Sequence, residues 1–135
     1  MTAPTDKDET ATGQPAAVFL GFGGRLDVMQ KRADFLAASR AKYQTAPGLT
    51  VQMRDRADGD PAVRVGFTCS KKVGNAVARN RAKRRLREVA RLDLPDLAKP
   101  GHDYVLIGKR DATAARPFED LRADLKTALD KLAAR

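Results

Sequence analysis

Between residues 71 and 91 the chain carries nine basic side chains (Lys71, Lys72, Arg79, Arg81, Lys83, Arg84, Arg85, Arg87 and Arg91) against a single acid, Glu88. The other 114 of the 135 residues sum to only +1, so almost the whole net charge of +9 sits in this one stretch. Guanidinium groups fork onto phosphate oxygens and stack on bases, and charge gathered in this way marks a surface for a polyanion, nucleic acid first. A merely solvated helix face mixes signs at i, i+4, because like charges at that spacing repel. Here Arg79, Lys83 and Arg87 follow one another at that spacing with no acid among them, and an anionic partner relieves the repulsion. Asn80, between Arg79 and Arg81, supplies an amide that either caps the neighbouring turn or hydrogen-bonds a nucleotide. A helix lying on a membrane surface needs Trp or Phe on its apolar side, whereas this one has mostly Ala.

Other chemistry has little to work with. One cysteine, Cys69, excludes a disulfide framework and a multi-cysteine zinc site and fits a reducing cytoplasm. One histidine, His102, leaves no paired imidazoles for a hydrolytic centre. A nuclease acting by itself would have to bring Asp103, Asp111 and His102 together. Cys69 falls on the apolar side of its segment and reads as a small buried residue, and His102 follows Pro100-Gly101 and reads as a surface loop residue. No stretch approaches the roughly 18 apolar residues of a membrane span, and Asp6, Asp8 and Glu9 do not resemble the start of a secretory signal.

The elements that must position the basic stretch follow from patterning. With 42% hydrophobic residues, no Trp and seven aromatics, the chain predicts one domain with an aliphatic core. Residues 1–17 have no apolar period and read as a disordered tail, followed by an apolar patch over 18–22 that packs onto the domain. A short helix is expected over 31–41, with Phe35 and Ser39 one turn apart, and Pro47-Gly48 forces a turn. Period-2 alternation predicts strands over 49–54 and 63–70, and the Asp58-Gly59-Asp60-Pro61 turn between them predicts an antiparallel hairpin. Asn75 is the expected N-cap of a helix running to about Leu92 and ended by Leu94-Pro95. On it Ala78, Ala82, Leu86 and Val89 fall within an arc of about 80°, opposite Arg79, Asn80, Lys83, Arg84, Arg87 and Arg91. Residues 104–108 (YVLIG) suit a buried strand, and Leu121, Leu125, Leu129 and Leu132 predict a closing helix over 118–134.

The segment RVGFTCSKKVGNAVARNRAKRRLRE, residues 64–88, closely resembles the signature of the bacterial ribonuclease P protein subunit. The likeness extends more weakly from Gly24 to Leu132 through RADF, HDYVLIGKR and the closing helix. It implies an α+β fold, a two-layer α-β sandwich in the order α-β-β-β-α-β-α, similar to the second domain of a ribosomal protein. A left-handed βαβ crossover would hold the basic helix, against the usual handedness. Residues 1–24 would then be a disordered or loosely packed extension and 25–135 a single RNA-binding domain.

The implied function is that of the small partner of a catalytic RNA that removes 5′ leaders from precursor tRNA in the cytoplasm. One protein would serve one RNA, with Mg²⁺ held chiefly by the RNA and no catalytic residue in this chain. Arg64, Lys71, Lys72, Arg79, Asn80, Arg81, Lys83, Arg84, Arg87 and Arg91 are the expected RNA contacts. Phe35, with Arg79, Asn80 and Lys83, would line a cleft for the single-stranded leader, where stacking contributes about 1–3 kcal/mol per base without regard to sequence. The chain departs from the family in having Ser39 where a second aromatic often stands, and in lacking a Gly-Arg pair near Lys42. The competing reading is a ribosomal or other structural RNA-binding protein with no part in catalysis.

Overall fold

A computed structural model describes residues 18–19 and 25–134. The expected tail over 1–17 and most of the apolar patch after it lie outside the described residues. The chain runs β1 (Val18–Phe19), β2 (Arg25–Val28), α1 (Arg32–Ser39), β3 (Lys42–Thr45), β4 (Leu49–Asp55), β5 (Val63–Thr68), α2 (Ala76–Leu97), β6 (His102–Gly108), α3 (Ala112–Ala115) and α4 (Phe118–Ala133). From α1 onward this is the expected α-β-β-β-α-β-α order, with one-turn α3 added before the last helix. The six strands form one sheet in the order β1-β2-β5-β6-β4-β3.

The long helices α2 and α4 cover one face of the sheet. Leu86, Val89 and Leu94 of α2 and Leu121, Leu125 and Leu132 of α4 are wholly buried against Val51, Val63, Val65 and Leu106. Each fully buried aliphatic side chain contributes about 1.5–3 kcal/mol, which makes this layer the main source of stability. The eight-residue α1 lies on the other face, where Phe35 and Ala38 pack with Met29, Val105 and Ile107. An isolated helix of that length is marginal in water, so α1 depends on this contact. Gly66 permits it: a Cβ there would stand 2.4 Å from the Phe35 ring.

The expected β4-β5 hairpin does not form. β4 pairs antiparallel with β3 and β6, whereas β5 pairs parallel with β2 and β6. The cause is β6 itself, whose Asp103–Leu106 run is buried on both sides and belongs in the middle of the sheet rather than at an edge. The 56–62 loop therefore has to cross over the start of β6. Arg56 holds it there, donating to Asp58 (3.0 Å), the Asp60 and Ala62 carbonyls (3.0 and 2.6 Å), the His102 carbonyl (3.2 Å) and Asp103 (2.8 Å).

Other expectations shift as well. Helix α2 does not stop at Leu94-Pro95 but continues to Leu97 with Pro95 inside. The bond proline forfeits is to the carbonyl of Arg91, an exposed residue where water can replace it, while Leu94 and Ala98 are buried and the Ala98 N–H donates to the Leu94 carbonyl at 2.8 Å. His102 opens strand β6 instead of lying in a loop, with its Nδ1 2.9 Å from the Pro100 carbonyl oxygen. Val18 and Phe19 pair with Leu26 and Arg25, so part of the region read as an extension joins the sheet edge.

On the α1 face Asp103 is wholly buried and binds three arginines. Arg64 Nε and Nη2 donate to it at 2.7 and 2.6 Å, Arg56 at 2.8 Å, and Arg54 lies 3.6 Å away. Arg64 also reaches Asp34 of α1 at 3.1 Å. Its hydrogen bonds to Asp103 hold the guanidinium even more firmly charged than usual. Removing one member of such a buried set strands the others, so Asp103→Ala is expected to lower unfolding free energy by about 3–5 kcal/mol in urea titrations. A loss below about 1 kcal/mol would show that the arginines do not depend on it.

Candidate nucleic-acid interface

The interface begins in the turn that feeds α2. Ser70 starts a single 3-10 turn, Lys71–Val73, its Oγ accepting the Lys72 N–H at 3.3 Å. Gly74 follows at φ +145°, a backbone conformation disfavoured for residues with a Cβ, and an added Cβ would also stand 2.9 Å from Ala78 Cβ. Asn75 is the N-cap as expected, its Oδ1 accepting the Ala78 N–H at 2.9 Å. The turn thus sets Lys71 and Lys72, both exposed, beside the helix N-terminus.

Along α2, Ala82, Leu86 and Val89 are buried and Ala78 half-buried, which leaves the basic residues on the remaining surface. They are not equivalent. Arg85 is turned inward: its guanidinium donates to the carbonyls of Ala114 and Arg116 and lies 5.8 Å from the Phe118 ring centroid. Arg91 is paired with Glu88 at 2.5 Å, and Arg79 donates to the Gly74 carbonyl at 2.9 Å. Arg64, far from the helix surface, is committed to Asp103 and Asp34. Lys71, Lys72, Arg81, Lys83, Arg84 and Arg87 bond to no carboxylate or carbonyl among the described residues, and Asn80 is exposed and equally unengaged. Arg87 lies 5.9 Å from the Phe67 ring centroid, an arrangement that keeps its charge at the surface while fixing its stem.

Cys69, at the foot of this row, is partly rather than fully buried. Its burial pushes the thiol pKa up, opposed in part by Lys83, Arg79 and Arg87, and its Sγ fills the space above Gly108. Those three cations therefore gather around the end of β5. Phe35 reaches the same strand from the opposite face, over Gly66. The strand is common to both, but α1 and α2 pack on different sides of the sheet, so Phe35 and the Arg79, Asn80 and Lys83 group do not share one sheet face. The α1 face instead presents a row that sequence reading missed. Tyr43, Gln52, Val105 and Gly66 are register partners across four strands, and Tyr43 is 62% exposed. Its strand β3 (KYQT) has no buried position, and a short edge strand of that kind leaves no periodic signal.

The residues a stand-alone nuclease would need do not converge. Asp103 is buried beneath three arginines, and Asp111 is exposed beyond the far end of β6 from His102. Among the described residues no group of three His, Cys, Asp or Glu side chains is placed to hold a metal ion, and no helix is long and apolar enough to cross a membrane.

Residues 24–133 match the protein family described as Ribonuclease P. The chain is 59% identical over 119 residues to the ribonuclease P protein component of Ruegeria pomeroyi, covering 87% of this chain and 95% of the relative. It is 54% identical over 110 residues to the corresponding protein of Caulobacter vibrioides, covering 82% of this chain and 73% of that one. Among solved structures, the RNase P protein of Thermotoga maritima superposes with a TM-score of 0.62 at 25% identity, covering 74% of this chain and 91% of that one. The Staphylococcus aureus RNase P protein does so at 0.64 and 24% identity, covering 78% and 94%.

Alanine at Arg79, Lys83 and Arg87 together is expected to weaken binding to structured RNA and to flatten the plot of log affinity against log salt by about one unit per lost phosphate contact. Titrations between 50 and 300 mM salt, roughly the range over which such contacts are screened, would show it. An unchanged slope would mean that this row points away from the RNA.

Proposed function

The chain belongs to the ribonuclease P protein family and is a protein component of that tRNA-processing enzyme; on that premise we propose that it works by binding alone, while its RNA partner supplies the hydrolytic site. The observation that carries this reading is the group formed by exposed Arg81, Arg84 and Arg87 and half-buried Lys83 on α2, unpaired with any carboxylate among the described residues and held by a helix whose other side is locked into the core. Such a group gains free energy by displacing counterions from RNA phosphates. The α1 face, with Phe35, Tyr43 and Gln52, suits the single-stranded 5′ leader of precursor tRNA, since aromatic stacking accepts any base.

Hydrolysis of a phosphodiester needs an activated water and stabilisation of the oxygen that leaves. The carboxylate with the most enclosed surroundings, Asp103, is saturated by Arg54, Arg56 and Arg64 and has no free lone pair facing solvent with which to act as a base. Nor does the basic stretch over 71–91 fit a divalent cation: its solvent-facing charges are arginines and lysines, and Glu88, the one acid among them, is tied to Arg91, while the two further acids of α2, Asp93 and Asp96, stand near its other end, Asp93 paired with Arg122. Mg²⁺ is accordingly assigned to RNA phosphates. The protein's cations lower the repulsion between the two RNAs and so favour the assembled complex, one protein to one RNA in the cytoplasm.

The test incubates precursor tRNA and Mg²⁺ with the protein alone, with the RNA subunit alone, and with both. Cleavage is expected from the RNA alone only at elevated Mg²⁺ or salt, and from the pair at physiological salt. Cleavage by the protein alone would overturn the proposal, and absence of any stimulation would favour a purely structural RNA-binding role.

A further inference from the structure

One feature of α2 is left over by phosphate binding. Val77, in the first turn, is 76% exposed in the middle of the basic surface. It forms one wall of an open depression of about 600 Å³ between α2 and the start of α4, whose other lining residues are Arg81, Arg84, Arg85, Glu88 and Phe118. Arg85 is fixed within that lining by the carbonyls of Ala114 and Arg116, and its buried Nε has no partner. Phe118 supplies an aromatic surface partly packed onto the core. Arg81 and Arg84 are exposed at the rim, and the Glu88 carboxylate is taken by Arg91. Two apolar walls, a stacked guanidinium and two free arginines make a site for a flat, partly apolar group that carries an anion.

We infer that this depression receives an unpaired nucleotide of the ribonuclease P RNA, with the base against Val77 and Phe118 and its phosphates on Arg81 and Arg84; the inference rests on the function proposed above. Three arginines against one engaged carboxylate favour a polyanion, and a volume of 600 Å³ exceeds what one base requires. A base within a helix is stacked and cannot enter, so the nucleotide must be unpaired. The RNA subunit is favoured over the leader because the depression lies on the α2 side of the sheet, opposite the α1 face that carries Phe35 and Tyr43.

Apolar and ionic contacts respond differently to salt, which separates this site from a plain phosphate contact. Equilibrium titration of the cognate RNA subunit across a salt series would compare wild type, Val77→Ser, Phe118→Leu and Arg84→Ala. Val77→Ser is expected to weaken binding roughly tenfold at every salt concentration with the slope unchanged, as for the loss of two buried methyl groups. Phe118→Leu should act in the same direction. Arg84→Ala should weaken binding and lower the slope by about 0.7–0.9. Val77 is exposed, so Val77→Ser should melt like wild type and carries the test if Phe118→Leu lowers stability. Wild-type affinity in Val77→Ser would overturn the inference, as would a defect seen only when the assembled enzyme binds precursor tRNA, since the leader would then be the occupant. Wild-type protein with no salt-dependent affinity for the RNA would overturn the parent function too, and would show before any variant is compared.

Discussion

A single carboxylate, Asp103, ties the central strands of this protein to one another and to α1. Its strand is the middle of the sheet, and the three guanidiniums it gathers come from β4, from the loop that crosses β6 and from β5. Through Arg64 the same cluster reaches Asp34 and so holds α1 in place. Burying an ion cluster of this kind adds little net stability compared with apolar residues of the same volume, because desolvation offsets much of the attraction. What it provides is specificity. A shift of β6 by one residue would turn Asp103 into the aliphatic layer beneath α2 and α4, where no partner could meet it. The charges therefore set the register on which Gly66 meets Phe35 and on which Tyr43, Gln52 and Val105 line up.

The basic helix obeys a related division of labour. Its apolar side is bound into the core by Leu86, Val89 and Leu94, so the repulsion among Arg79, Lys83 and Arg87 acts on a helix that cannot readily unwind. Arg85 is spent on α3 and α4, and Arg91 on Glu88. The remaining cations project from a helix held by the core, and on the function proposed above that pre-organisation would keep the gain from counterion release from being consumed in ordering the protein. The same rigidity places an exposed valine and an aromatic ring beside the arginines, where apolar and ionic contacts with one nucleotide can be made together.

Much of this was legible in the residues. Asn75 as cap, the buried Ala82, Leu86 and Val89 side, and the leucines of α4 are local periodic signals, and each element's own burial enforces them. The family signature over 64–88 carried the function. The pairing of strands was not legible: alternation shows that a segment is a strand and which side is apolar, but the partner is chosen by competition among all strands, and β6 displaced the neighbour that the Asp58–Pro61 turn suggested. Short polar strands such as β3, and a proline carried inside α2, escaped for a similar reason. Their cost or gain depends on what covers them, and no local pattern records that.

The amino-acid sequence by itself determined that nearly all of the net charge lies on one amphipathic stretch, because net charge, helical period and the residues of the signature are properties of a contiguous segment. Only the tertiary structure decided which of its nine basic residues are left without a carboxylate or carbonyl partner among the described residues. Whether a guanidinium faces RNA or a carbonyl depends on groups brought from distant parts of the chain. Arg85 meets Ala114 and Arg116, and Arg64, an expected RNA contact outside that stretch, meets Asp103, only after the sheet has closed around β6.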